Sequence, residues 1–229
     1  MGEWVDVKVS DGAFRAYVAR PSAEPKAAVV VLQEIFGVNA VMRGKTDWLA
    51  SEGFLAVCPD LFWRIEPGID ITDKTQAEMD RAFELFGAFD QQKGLGDIQA
   101  TIDLTRQMGP GKVGAMGYCL GGLMAYLTAC HTDSDASVGY YGVSIDQRLS
   151  EASGIKKPLL LHVAGKDGFV PPPAQQAMHQ GLDANPLVTL IDYPERDHAF
   201  AREGGANYDA SDAARADAQT IAFFKEKLA

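Results

Sequence analysis

Lys112-Val113-Gly114-Ala115-Met116-Gly117-Tyr118-Cys119-Leu120-Gly121-Gly122-Leu123 is the stretch whose reading decides the fold. Lys112 to Met116 is apolar or small and short enough for a buried strand, while Leu120 to His131 carries a helical pattern. No spacer separates the two beyond the glycine-rich Gly117 to Gly122. A buried strand passing through a tight turn directly into a helix is the repeating unit of an open α/β sheet.

Outward from this unit the alternation continues. Further buried strands are expected at Ala27 to Leu32, Phe54 to Cys58, Ala136 to Tyr141, Pro158 to Ala164 and Val188 to Tyr193, each bounded by Gly, Pro or Asp. Helices are expected near Val41 to Ser51, Thr75 to Phe89, Leu95 to Gln107, Pro173 to Leu182 and Ser211 to Lys227. At the N-terminus, Trp4 to Val9 alternates with period two, and Asp11-Gly12 then leads into Phe14 to Ala19, which reads as an antiparallel hairpin at one edge of a mixed sheet. Trp63 to Thr72, with Pro67-Gly68 in its middle, has no periodicity and reads as a loop beside the site opening.

The chain has 229 residues, 47% hydrophobic and 23% charged, which suits one globular domain spanning 1–229 with a sizeable core. No repeat, low-complexity tract or linker divides it. The net charge of -10 argues against nucleic acid and anionic membranes as partners. No apolar run reaches the length of a membrane span and the N-terminus has no signal-peptide pattern, so a cytoplasmic protein is expected.

Three cysteines, Cys58, Cys119 and Cys130, do not form a disulfide framework or a zinc-ligand spacing, so no metal is expected. Cys58 and Cys130 end apolar runs and read as small core residues. Cys119 is the central residue of Gly117-Tyr118-Cys119-Leu120-Gly121, the pattern of a nucleophile elbow with Cys where Ser is usual. The flanking small residues let strand and helix approach closely, and the helix N-terminus favours an anion at the side chain it carries. A thiol needs less activation there than a hydroxyl.

A base must then lie downstream, in the chain order nucleophile, acid, histidine. His162 falls inside a strand and His131 and His179 in or at the end of helical segments, whereas His198 occupies the loop after Val188 to Tyr193. Asp167, in Gly165-Lys166-Asp167-Gly168 after the preceding strand, is placed to orient it, with Asp192 and Asp197 as rivals. These residues point to acyl transfer through Cys119.

Gln33-Glu34-Ile35-Phe36-Gly37-Val38-Asn39, Cys58-Pro59-Asp60-Leu61, Gly117-Tyr118-Cys119-Leu120-Gly121-Gly122 and His198-Ala199-Phe200-Ala201-Arg202 together resemble the dienelactone hydrolases, or carboxymethylenebutenolidases, of the α/β-hydrolase fold. The resemblance implies a mostly parallel eight-stranded sheet with helices on both faces and a Cys119-His198-Asp167 triad. It also implies hydrolysis of dienelactone to maleylacetate in chloroaromatic degradation, a step of aromatic hydrocarbon catabolism, without a metal or organic cofactor. It further implies that Glu34 meets the resting thiol and accepts its proton when substrate displaces the carboxylate. The oxyanion donors would be the backbone N–H groups of Ile35 and Leu120. Arg202 matches one of two arginines that hold the substrate carboxylate in the family. The second family arginine falls on Met79, with Arg81 two residues later, and Phe83 stands where the family often has Tyr. Phe36, Phe83 and Phe169 are candidates for an apolar pocket wall.

The departures at Met79 and Phe83 leave the reaction type intact and keep open a broad-range carboxylesterase or thioesterase on the same residues. A third reading, from another class, is a non-catalytic protein with Cys119 as a redox-sensing thiol. The expected partner is a small-molecule lactone or ester, and the expected state a monomer.

Overall fold

The computed structural model describes residues 2–109 and 111–229. In chain order the strands are β1 (Glu3–Val9), β2 (Gly12–Ala19), β3 (Ala28–Leu32), β4 (Leu55–Pro59), β5 (Val113–Tyr118), β6 (Ala136–Tyr140), β7 (Leu159–Ala164) and β8 (Val188–Tyr193). The helices are α1 (Ala40–Ser51), α2 (Gln76–Ala88), α3 (Gln91–Met108), α4 (Leu120–His131), α5 (Pro172–Leu182) and α6 (Ala210–Lys227). The strands form one eight-stranded sheet in the order β1-β2-β4-β3-β5-β6-β7-β8. It is the expected mostly parallel α/β sheet with an antiparallel N-terminal hairpin at its edge. No helix among the described residues is long and apolar enough to cross a membrane.

The chain divides into two compact units, Met1–Gly114 and Ala115–Ala229. In the first, β1 and β2 pair antiparallel with Val9 opposite Gly12, so a two-residue turn closes the hairpin. The outer strand exposes most of its residues, whereas β3 and β4, parallel to one another, are buried throughout, as their continuous apolar sequences require. Side chains start each helix of this unit. Asn39 Oδ1 accepts from Met42 N at the head of α1, and Thr75 Oγ1 accepts from Glu78 N at the head of α2. Asp90 Oδ1 accepts from Gln92 N and Lys93 N, and this cap starts α3 at Gln91, four residues before the Leu95 at which apolar periodicity begins.

In the second unit β6, β7 and β8 run parallel in adjacent positions. Helix α4 is apolar all round and Leu120 through Cys130 are all buried, so hydrophobic burial holds it. The expected bounds of α4 and β8 agree with those observed. Strand β5 runs to Tyr118, beyond the expected Met116, and β6 stops at Tyr140 because Tyr141 has φ 38°, outside the strand region. A 3-10 segment, Ile145–Gly154, follows β6. It had no sequence signal, since ten residues of mixed polarity carry no period that distinguishes a short 3-10 run from a loop.

A polar chain crosses the interior of this unit. His162 on β7 meets Tyr193 Oη of β8 at Nδ1 and Thr220 Oγ1 of α6 at Nε2, both at 3.0 Å, and Thr220 also contacts Tyr140 Oη of β6 at 2.6 Å. Every member has a partner, so the buried polar atoms tie three strands to the last helix.

Candidate active site

Gly117 and Gly121 bring β5 and α4 together at the turn: a Cβ on Gly117 would lie 2.0 Å from the Gly121 carbonyl oxygen. Only glycine fits there. Cys119, between them, takes φ 56°, a conformation that L residues adopt at a cost and that surrounding structure must enforce. Its N–H donates to the Tyr140 carbonyl at the end of β6 (3.1 Å), and its own carbonyl accepts from Gly122 and Leu123 as the first turn of α4 closes. The side chain therefore stands at a helix N-terminus, where first-turn amides such as that of Leu120 have no partner within the helix.

Asp167 and His198 follow β7 and β8, the neighbouring strands. His198 Nδ1 lies 2.8 Å from Asp167 Oδ2, and Asp167 Oδ1 accepts from Phe169 N at 2.8 Å, so both carboxylate oxygens are used in setting the acid. Cys119 is the other hydrogen-bonding partner of His198. Burial pushes the imidazole toward its neutral form, but the charge of Cys119, the Asp167 hydrogen bond and the Cys119 hydrogen bond outweigh it, raising His198 to about 10. The loop backbone is held as well. Asp197 Oδ1 accepts from His198 N at 2.6 Å, and Asn207 Nδ2 donates to the His198 carbonyl at 3.0 Å.

The rivals are engaged elsewhere. Asp197 bonds the backbone of His198, and Asp192 meets His179 at 3.2 Å. His131 meets Glu151, and burial depresses His162 to about 3, leaving it neutral. Burial raises the Cys58 thiol to about 12 and the Cys130 thiol to about 11, which makes both poor sources of thiolate near neutral pH.

The remaining candidates divide between the units. In the second, Leu120 opens α4, Arg202 ends the turn begun at Ala199, and Phe169 is 57% exposed with its ring 4.9 Å from that of His198. In the first, Glu34, Ile35 and Phe36 are buried just past β3. Gln33 holds this segment, its Nε2 donating to the Glu34 carbonyl and its Oε1 accepting from Leu61 N. Arg81 lies on α2 with its guanidinium bonded to Glu66 (2.6 Å) and Glu84 (2.9 Å), and Phe83 is exposed. Sequence reading passed over Tyr141, whose ring stands 5.1 Å from that of His198 at 64°. Its only trace was its place at the end of a predicted strand.

Comparison with known proteins places the chain among relatives. The profile of the "Dienelactone hydrolase family" matches residues 14–228. An Azospirillum brasilense protein provisionally named carboxymethylenebutenolidase is 48% identical over 222 residues, covering 95% of each chain. The carboxymethylenebutenolidase of Pseudomonas putida is 41% identical over 224 residues, covering 96% of this chain and 95% of its own. A crystal structure from Klebsiella pneumoniae, provisionally described as a dienelactone hydrolase, superposes with a TM-score of 0.88 over 98% of both chains at 27% identity.

Proposed function

The chain belongs to the dienelactone hydrolase family, a family of ester and lactone hydrolases, and from that premise we propose a cysteine-dependent enzyme that opens dienelactone to maleylacetate in chloroaromatic breakdown. The observation that carries the reading is the hydrogen-bonded line Cys119, His198, Asp167, built on the ends of three strands of one sheet.

In the proposed cycle the Cys119 sulfur attacks the lactone carbonyl, forming the C–S bond, and the carbonyl oxygen becomes an oxyanion. The Leu120 amide at the head of α4 stabilises it, and the family resemblance adds that of Ile35. Collapse breaks the ring C–O bond and releases an enolate that stays tethered to the acyl group as thioester. Water then attacks the thioester carbonyl, losing its proton to the enolate directly, or to His198 once that ring has given its own proton to the enolate, and the thiolate leaves. Asp167 keeps the imidazole in one tautomer and stabilises its cation. Glu34 retains the proton-accepting role implied by the family resemblance.

Arg202 is assigned to the substrate carboxylate, for which a guanidinium fork is suited. The pairing of Arg81 with Glu66 and Glu84 favours a second reading, an esterase of broader range, because a guanidinium already neutralised by two carboxylates is a poor partner for a third. The expected setting is cytoplasmic and monomeric, with no cofactor.

Steady-state kinetics on dienelactone and on neutral aryl esters separates the two. A kcat/KM for dienelactone at least about tenfold above that for the esters is expected, and equal efficiency would favour the esterase. Cys119→Ala should abolish turnover of both. Wild-type protein inert toward every activated ester would leave the thiol-sensor reading standing.

A further inference from the structure

Among the described residues, the non-glycine residues with positive φ are Cys119 (56°), Tyr141 (38°), Ser144 (58°) and Ala199 (64°). One is the nucleophile, one follows the base, and Tyr141 packs on the base. Strained backbone persists only where the surroundings enforce it, so the gathering of these three at one place points to function, while Ser144 heads the 3-10 segment. Tyr141 is the least expected of the four, because a bulky aromatic residue gains nothing from the left-handed region that Asn or Gly would not gain at lower cost.

Its surroundings show what the strain accomplishes. Tyr141 N–H donates to the His162 carbonyl at 2.8 Å, anchoring the residue to β7. The carbonyl immediately before it, that of Tyr140, receives the Cys119 N–H. The Tyr141 ring, 2% exposed, lies 5.1 Å from His198, 5.6 Å from Phe200 and 6.0 Å from Tyr118. One peptide thus touches the elbow through its carbonyl and the base through its side chain. The Asp167 bond fixes a single atom of the imidazole and leaves the ring free to tilt about that bond. Phe169 also abuts the ring but is largely exposed, so the buried Tyr141 is the stiffer brace.

We propose that Tyr140-Tyr141 is a positioning bracket that sets the separation and tilt of thiol and imidazole, the Tyr140 carbonyl holding the nucleophile's amide and the Tyr141 ring holding the base. The inference rests on the Cys119-His198 reading above. The contacts that make the bracket are ring to ring, so the ring is the part expected to act.

Three substitutions test it, each followed by circular dichroism, ester kinetics and a pH titration of thiolate ultraviolet absorbance. Tyr141→Phe keeps the ring and should stay within about twofold of wild type in kcat. Tyr141→Leu removes it and should lower kcat by about 10-fold to 100-fold with KM little changed, because misplacement affects the reacting geometry more than binding. Its thiolate titration should move to higher pH. Tyr141→Asn suits the left-handed backbone without a ring, so it should show the same loss even where Leu fails to fold. A folded Leu or Asn variant with wild-type kcat and thiolate titration overturns the bracket, as does a large loss in Tyr141→Phe. Wild-type enzyme that turns over, beside variants that match it, sinks the bracket alone. A wild-type thiol with no thiolate signal and no turnover sinks the cysteine-hydrolase reading itself.

Discussion

His198 and His162 are both buried histidines of the second unit, and their surroundings give them opposite fates. His162 meets only neutral hydroxyls, and burial lowers it to about 3, so it serves as a fixed structural imidazole. At His198 burial acts in the same direction but is overcome by Cys119 and Asp167, and the ring holds its proton until the pH rises through about 10. The sign follows directly. A base whose folded pKa is raised keeps its charge through the neutral range and loses it on the alkaline side, together with its ability to pair with a thiolate or protonate a leaving group. The pH profile of kcat/KM should therefore fall on its alkaline limb near 10. Asp167→Asn removes one of the groups that raise His198, so that limb should move to lower pH while kcat drops about 100-fold or more. A profile unchanged in Asp167→Asn would separate this carboxylate from the chemistry.

At the scale of elements, the β5-turn-α4 unit depends on a backbone approach that no side chain can enter. Gly117→Ala would set a methyl 2.0 Å from the Gly121 carbonyl oxygen, and neither atom belongs to a flexible side chain that could move aside. Urea denaturation should show a loss of about 2 kcal/mol or more, with a fall in kcat as the strand and helix part. A stability within about 0.5 kcal/mol of wild type would mean that the turn yields more easily than its geometry implies. The same unit was legible before any coordinates because three signals coincide in one short run: an apolar strand, a glycine-rich turn and an apolar helix. Helix α3 was less legible. Its first turn, Gln91-Gln92-Lys93-Gly94, contains no apolar side chain, and only the Asp90 cap marks where it starts. The 3-10 segment after β6 was not legible at all, because ten residues of mixed polarity carry no period that separates a short 3-10 run from a loop, and nothing local marks Ser144 at its head as left-handed.

Over the whole molecule the net charge is -10, and the proposed substrate is itself an anion. A repulsive long-range field opposes the approach of a carboxylate, and added salt screens it. The kcat/KM for dienelactone should accordingly rise, by roughly twofold, as ionic strength increases from low to physiological, while that for a neutral ester stays level. A fall for dienelactone would show that local positive charge, such as that of Arg202, dominates the approach.

The amino-acid sequence by itself determined the alternation of strands and helices, the hairpin, the family, and the strand-end positions of Cys119, Asp167 and His198, because periodicity, glycine spacing and chain order are local or nearly local properties. It could not determine which carboxylate would reach His198 Nδ1, that Asp197 would bond its backbone instead, that Arg81 would be engaged by Glu66 and Glu84, or that Tyr141 would lie against the base. Those outcomes depend on where side chains many residues apart meet and on how burial and charge balance there, and only the packed chain decides them.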